Sequence, residues 1–258
     1  MGLDPDPALM PIPDVLAFNK AIVDATRDLV CAFKPNLAFY EALGTKGLDT
    51  LGDTLEHIRA VAPDVLLIGD GKRGDIESTN RMYATALFES WGFDAATVNP
   101  YAGVSALEPF FEYGDRGVFV WCRSSNPGAG ELQDVKVPDQ GHGMPIYEWL
   151  AQRAMESNSR GNVGLVVGAT YPEELRAVRA RAAGAPILVP GIGAQGGELA
   201  LSVKAGLDSG EPNLLISSSR EIAYASRSGR DFADAARAAA AALRDNINQT
   251  LDEVGRGW

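Results

Sequence analysis

Apolar positions along the chain switch repeatedly between two spacings. Short unbroken runs at 29–33, 65–68, 95–98, 117–122, 163–167, 186–189 and 214–216 read as strands. Between them, apolar residues recur at helical spacing over 14–27, 38–43, 48–62, 80–91, 104–113, 144–158, 172–183 and 231–254. Asp14 is placed to cap the first helix, and Pro172 to open a later one. Met1-Gly2-Leu3-Asp4 followed by Pro5 and Pro7 reads as a short first strand running into a proline-rich loop. About three residues is brief against a usual five or six, so this strand is expected to be shortened at its amino terminus. The segment 123–143 is rich in Ser, Gly, Pro and Asp and reads as a long loop, functional or mobile. Strand and helix alternate about eight times with no linker-like change in composition. That is the α/β pattern of one (β/α)8 TIM barrel over residues 1–258, with an open doubly wound sheet as the alternative.

Composition adds limits. A chain of 258 residues, 46% hydrophobic and 22% charged, has the make-up of an ordinary globular protein with a large core. Its net charge of −11 speaks against a nucleic-acid partner. A phosphorylated small molecule remains open, because a few local cations suffice to hold it. No apolar run nears the length of a membrane span and no signal peptide is evident, so no membrane partner and a cytoplasmic location are expected. Cys31 and Cys122 sit in apolar, strand-like runs and are expected to be buried free thiols. His57 and His142 are the only histidines and no C-x-x-C accompanies them, so no metal-ligand set is expected.

The run 65–79, Val-Leu-Leu-Ile-Gly-Asp-Gly-Lys-Arg-Gly-Asp-Ile-Glu-Ser-Thr, ends abruptly in charge: Asp70, Lys72, Arg73 and Asp75 fall within six positions. Asp70 and Lys72 are two apart and leave the same face of an extended segment. Gly71 and Gly74 let the backbone turn and something approach it. Carboxylates at Asp70 and Asp75 favour the charged form of a lysine held between them. A positioned proton donor beside concentrated negative charge suits loss of an anionic group and protonation of the carbanion left behind. A solvated surface turn carries the same residues, and the position at a strand end is what favours chemistry.

A second cluster lies near the other end. Four glycines occupy the seven positions from Gly191 to Gly197, directly after a strand, where backbone N–H groups can cradle a phosphate. Arg220, after the next strand, can add a charge-assisted contact. Loops after strands seven and eight are a recurrent phosphate site in such barrels. No Lys-Ser/Thr follows the glycines, so this is not a P-loop.

With both ends in place, the chain resembles the orotidine 5′-monophosphate decarboxylase family. Within it, the Lys-Arg-Gly-Asp-Ile form of the central motif is similar to the bacterial type 2 branch. The matching segments are Gly2-Leu3-Asp4-Pro5, Phe33-Lys34-Pro35-Asn36, the stretch from Asp70 through Thr79, Ser124-Ser125-Asn126-Pro127-Gly128, the stretch from Pro190 through Gly197, and Ser217-Ser218-Ser219-Arg220. The resemblance implies a cofactor-independent carboxy-lyase that converts orotidine 5′-monophosphate to uridine 5′-monophosphate and CO2. It implies Lys72 as proton donor to C6, Asp70 against the substrate carboxylate, and Lys34 and Asp75 completing an alternating charge network. Asp75 would come from the partner of a homodimer, with Thr79 reaching across the interface. Asp4 and Lys34 would meet ribose hydroxyls, Ser125 the pyrimidine, and Gln195 and Arg220 the 5′-phosphate, with Pro190 lining the site. Gly71 stands where that branch often carries Ala, with an expected loss of local rigidity of about 1 kcal/mol. Mg2+-dependent sugar-phosphate decarboxylases and hexulose-phosphate synthases share the Asp-x-Lys-x-x-Asp pattern and remain the nearest enzyme alternative. A non-catalytic nucleotide-binding barrel is the other. Trp91, Trp121, Trp149 and Trp258 read as packing residues rather than base-stacking ones.

Overall fold

A computed structural model describes residues 1–139, 142–168, 172–191, 196–207 and 213–257, without the side chains of residues 139, 142, 196 and 197. In chain order the elements begin with β1 (Gly2–Leu3), α1 (Val15–Thr26), β2 (Ala32–Pro35), α2 (Leu37–Glu41), α3 (Gly44–Val61), β3 (Leu66–Arg73) and α4 (Glu77–Ala84). There follow β4 (Ala95–Val98), α5 (Glu108–Phe111), β5 (Gly117–Arg123), α6 (Gly130–Gln133), β6 (Lys136–Asp139), β7 (His142–Pro145) and α7 (Ile146–Glu156). The last third holds β8 (Val163–Val167), α8 (Pro172–Arg181), β9 (Ile187–Pro190), α9 (Gly196–Gly206), β10 (Leu214–Ser217), α10 (Arg220–Ala223) and α11 (Phe232–Glu253).

Eight of these strands form one parallel sheet in the order β1-β2-β3-β4-β5-β8-β9-β10, the (β/α)8 arrangement. Parallel neighbours need a crossover, and the intervening helices supply it. Gly2 N–H donates to Ser218 O at 2.9 Å and brings the first strand back to the last. Only glycine permits that approach, because a Cβ at Gly2 would lie 1.8 Å from Ser219 Oγ. Successive strand residues face opposite ways. Phe33, Leu67, Val120, Leu165 and Val189 pack outward against the helices. Their neighbours Ala32, Ile68, Phe119, Val166 and Leu188, with Ala95, form a separate inner cluster. The Phe119 ring fills that interior because Gly164 opposite it has no Cβ to occupy the space.

Several expectations need correction. The strand read as 65–68 starts a residue later and runs on to Arg73. Leu66 at its entrance is 50% exposed, so burial on both faces begins only at Leu67. The described part of the expected loop at 123–143, without residues 140 and 141, is folded: a 3-10 turn (Pro127–Ala129), α6, and the antiparallel pair β6–β7. That pair takes in Met144 and Pro145, which were expected in the following helix. The helix expected at 80–91 starts at Glu77 and passes into a π-helical turn at Thr85–Ser90. Cys122 is buried, and burial pushes its thiol pKa up, but Cys31 is exposed. Cys31 immediately precedes β2, so of the run 29–33 only Ala32 and Phe33 lie in the sheet. His57 meets Asp24 at 2.9 Å on the helical surface.

Candidate active site

Parallel strands of a barrel present their carboxyl ends at a single mouth, and chemistry-bearing side chains gather there. Lys34 comes from β2 and Asp70 and Lys72 from β3. Lys34 Nζ stands 2.5 Å from Asp70 Oδ2, and Lys72 Nζ 2.7 Å from Asp70 Oδ1. Thr97, on β4, donates its hydroxyl to the same Asp70 Oδ1 at 2.8 Å and accepts the Lys72 N–H at 3.0 Å. Asp70 and Lys34 are both 5% exposed. Burial pushes the Asp70 carboxyl pKa up, yet the Lys34 and Lys72 charges and their hydrogen bonds outweigh it and hold it well below the usual carboxylate range.

Lys72 pays for its position in backbone conformation. Its φ is +44°, the left-handed region that L-residues avoid, at a cost of about 1–3 kcal/mol. The β3–β4 register shifts between Gly69 and Arg73, where this bulge lies. Both flanks are held. Arg73 pairs with Glu41 and lies over the Tyr83 ring, while its carbonyl accepts the Asn99 N–H at 2.8 Å. Gly74 packs so tightly that a Cβ would sit 2.1 Å from Asn99 O. Gly71 is packed too: a Cβ there would come to 2.9 Å from Leu37 Cδ1.

These charges open into a cavity of about 530 Å3. Asp4, Ser125, Pro190 and Arg220 also line it, so seven of the ten residues singled out above meet in one place. Asp4 Oδ1 is buried and has no hydrogen-bond partner among the described residues. Asp75 and Thr79 do not line this cavity. Asp75 is exposed and its Oδ1 accepts the Ile76 N–H at 2.6 Å, so within one chain Lys72 is flanked by Asp70 and not by both carboxylates. Gln195 lies outside the described residues, as does Trp258.

Three residues of the site were not anticipated. Thr97 reaches Asp70 only through the β3–β4 register. Arg123, 3% exposed, pairs with Asp134 at 2.8 Å and Glu174 at 3.5 Å and lies over the Tyr147 ring, tying the excursion after β5 to the barrel. Trp121, read as a packing residue, lines the cavity with its ring centroid 5.7 Å from Lys72 Nζ.

The family described as orotidine 5′-phosphate decarboxylase / HUMPS matches residues 2–242. The chain belongs to that family. It is 53% identical to the orotidine 5′-phosphate decarboxylase of Thermomicrobium roseum, over 98% of this chain and 91% of that one. The Roseiflexus castenholzii protein of the same name is 48% identical, over 98% and 93%. Among solved structures, the orotidine 5′-monophosphate (OMP) decarboxylase of Leishmania donovani superposes with a TM-score of 0.83 at 38% identity, covering 96% of this chain and 91% of that one. Membership of the orotidine 5′-phosphate decarboxylase / HUMPS family fits a site built from fixed charges on barrel strand ends.

Removing the Asp70 charge leaves two ammoniums, one of them buried, without their common partner. Asp70→Asn is therefore expected to cost about 3 kcal/mol, a fall in Tm of about 6–12 °C for a chain of this size. The Asp70 pKa is lower in the folded state than in the unfolded one. As pH falls, the unfolded chain binds that proton first, so the stabilisation is complete above about pH 4 and fades below it. Urea titrations should show the gap between wild type and Asp70→Asn narrowing in acid; equal stability at pH 7 would contradict the pairing.

Proposed function

We propose that the chain decarboxylates orotidine 5′-monophosphate to uridine 5′-monophosphate and CO2, the last step of de novo UMP synthesis. The observation that carries this reading is the alternation Lys34–Asp70–Lys72 inside a cavity that also holds Arg220. The C6–carboxylate bond breaks with its electron pair left on C6, and CO2 departs neutral. The carbanion takes a proton from Lys72 Nζ, and the lysine amine regains one from solvent. Ionised Asp70 lies against the substrate carboxylate, and that repulsion disappears as CO2 leaves. The Lys72 ammonium gains interaction as charge develops at C6, so both effects favour the transition state over the bound substrate. No step of this chemistry calls for a metal or an organic cofactor.

Arg220 and Gln195 hold the 5′-phosphate beside Pro190, and Ser125 hydrogen-bonds the pyrimidine. Asp4 and Lys34 take the ribose hydroxyls; the unpartnered Asp4 Oδ1 supports this, since a buried acceptor is costly until a donor meets it. Phosphate binding remote from C6 supplies energy that can hold the mouth closed during the reaction.

The whole chain works as one barrel domain, in the cytoplasm, as a homodimer in which Asp75 and Thr79 complete the partner's site. Two observations support the dimer. Asp75 lies outside the cavity of its own chain. Its neighbourhood also exposes apolar side chains, with Ile76 63%, Met82 61% and Tyr101 83% exposed, the kind of surface a second copy covers.

Ultraviolet absorbance with orotidine 5′-monophosphate is expected to show chelator-insensitive loss of substrate and formation of uridine 5′-monophosphate. Lys72→Ala is expected to abolish turnover while product binding survives; no turnover in wild type, or turnover that EDTA stops, would contradict the reading. Lys72→Ala and Asp75→Ala proteins, each inactive, are expected to recover about a quarter of wild-type activity when unfolded and refolded together, because a mixed C2 dimer contains one intact site. A mixture that stays inactive would contradict the shared site.

A further inference from the structure

We propose that Trp121 is a positioning residue for Lys72, its indole face holding the ammonium at the point from which it delivers a proton. The inference rests on the reading of Lys72 as proton donor and deepens it.

Trp121 stands near the carboxyl end of β5, two residues beyond Phe119 and on the same face of the strand. Phe119 belongs to the inner barrel cluster and Trp121 packs against that cluster, so the indole forms the next layer toward the mouth. It lines the main cavity and also a second one of about 400 Å3 beneath the excursion after β5. Packing on the inner cluster fixes the ring, while its position between two cavities leaves a face free to meet another group. That group is Lys72, whose Nζ lies 5.7 Å from the ring centroid, within the range of a cation–π contact.

Both strands leave regular register at this point. β3 shifts against β4 between Gly69 and Arg73, and β5 shifts against β8 between Trp121 and Arg123. Lys72 also carries the left-handed φ of +44°. Within one chain its side chain is 30% exposed, so the salt bridge to Asp70 leaves the ammonium partly open to other rotamers. An aromatic face attracts the cation but cannot accept its proton, so it adds position beside the charge that the carboxylates supply. A proton donor needs that combination: held in place, yet free to give the proton up.

The test uses full-length wild type, Trp121→Leu and Trp121→Phe. Loss of a partly shielded cation–π contact is expected to lower kcat for orotidine 5′-monophosphate about 5- to 30-fold in Trp121→Leu. KM should change by less than about threefold, because Arg220 and the phosphate end are untouched. Trp121→Phe restores an aromatic face and is expected to recover kcat to within about threefold of wild type. Independently of turnover, NMR of the Lys72 side-chain methylenes is expected to show an upfield ring-current shift in wild type. The shift should vanish in Trp121→Leu and partly remain in Trp121→Phe. Unchanged kcat in Trp121→Leu, no advantage of Phe over Leu, or no ring-current shift would each overturn the proposal. If wild type does not turn over this substrate, the proposed function fails, and the NMR shift decides the Lys72–Trp121 contact on its own.

Discussion

Everything at the barrel mouth depends on one buried carboxylate held between two ammoniums. Asp70 would be expelled from an apolar setting or neutralised there if it were alone. Lys34 and Lys72 at 2.5 and 2.7 Å, with the Thr97 hydroxyl at 2.8 Å, keep it charged and fix its orientation. The dependence is mutual. Lys34 is as deeply buried as Asp70 and has the same need of a counter-charge. Such a triad contributes little net stability over an apolar core, but it is costly to dismantle piecemeal. In the proposed reaction it presents fixed charge to the substrate with no rearrangement as the bond breaks.

The barrel makes this arrangement possible by geometry. Residues far apart in sequence reach one cavity because each parallel strand ends at the same face. Among the described residues, Lys72 is the one non-glycine residue with a left-handed backbone. Lys72 adopts a left-handed backbone within a bulge, and Thr97, Arg73 and the tight packing of Gly74 on Asn99 over-determine that conformation. At Gly71 a Cβ would meet Leu37 Cδ1 at 2.9 Å, so a side chain there requires Leu37 to shift.

What was legible in the amino-acid sequence follows from range. The alternation of apolar spacings carried the barrel, because each element's own residues encode its period. The Asp70–Lys72 pairing was legible because a two-residue offset on a strand puts both side chains on one face. Thr97 and Trp121 were not, since their roles arise from the register between β3 and β4 and from the closing of the sheet, neither of which is local. The burial of Leu66 was over-read for a similar reason. A run of apolar residues does not say where burial begins along a strand, and Leu66, paired with Ala32 at the start of β3, is still half exposed. Polar composition between Arg123 and Gly143 hid an antiparallel strand pair and a helical turn, whose ordering comes from Arg123 reaching Asp134 and Glu174.

Asp70 is held ionised in the fold by the Lys34 and Lys72 charges that flank it. Carbon-13 NMR of the Asp70 carboxyl, followed from pH 7 into acid on the folded protein, tests it directly. The shift is predicted to stay at its ionised value through the ordinary aspartate range near about pH 4. A titration step at that ordinary value would contradict the charge triad and the chemistry built on it.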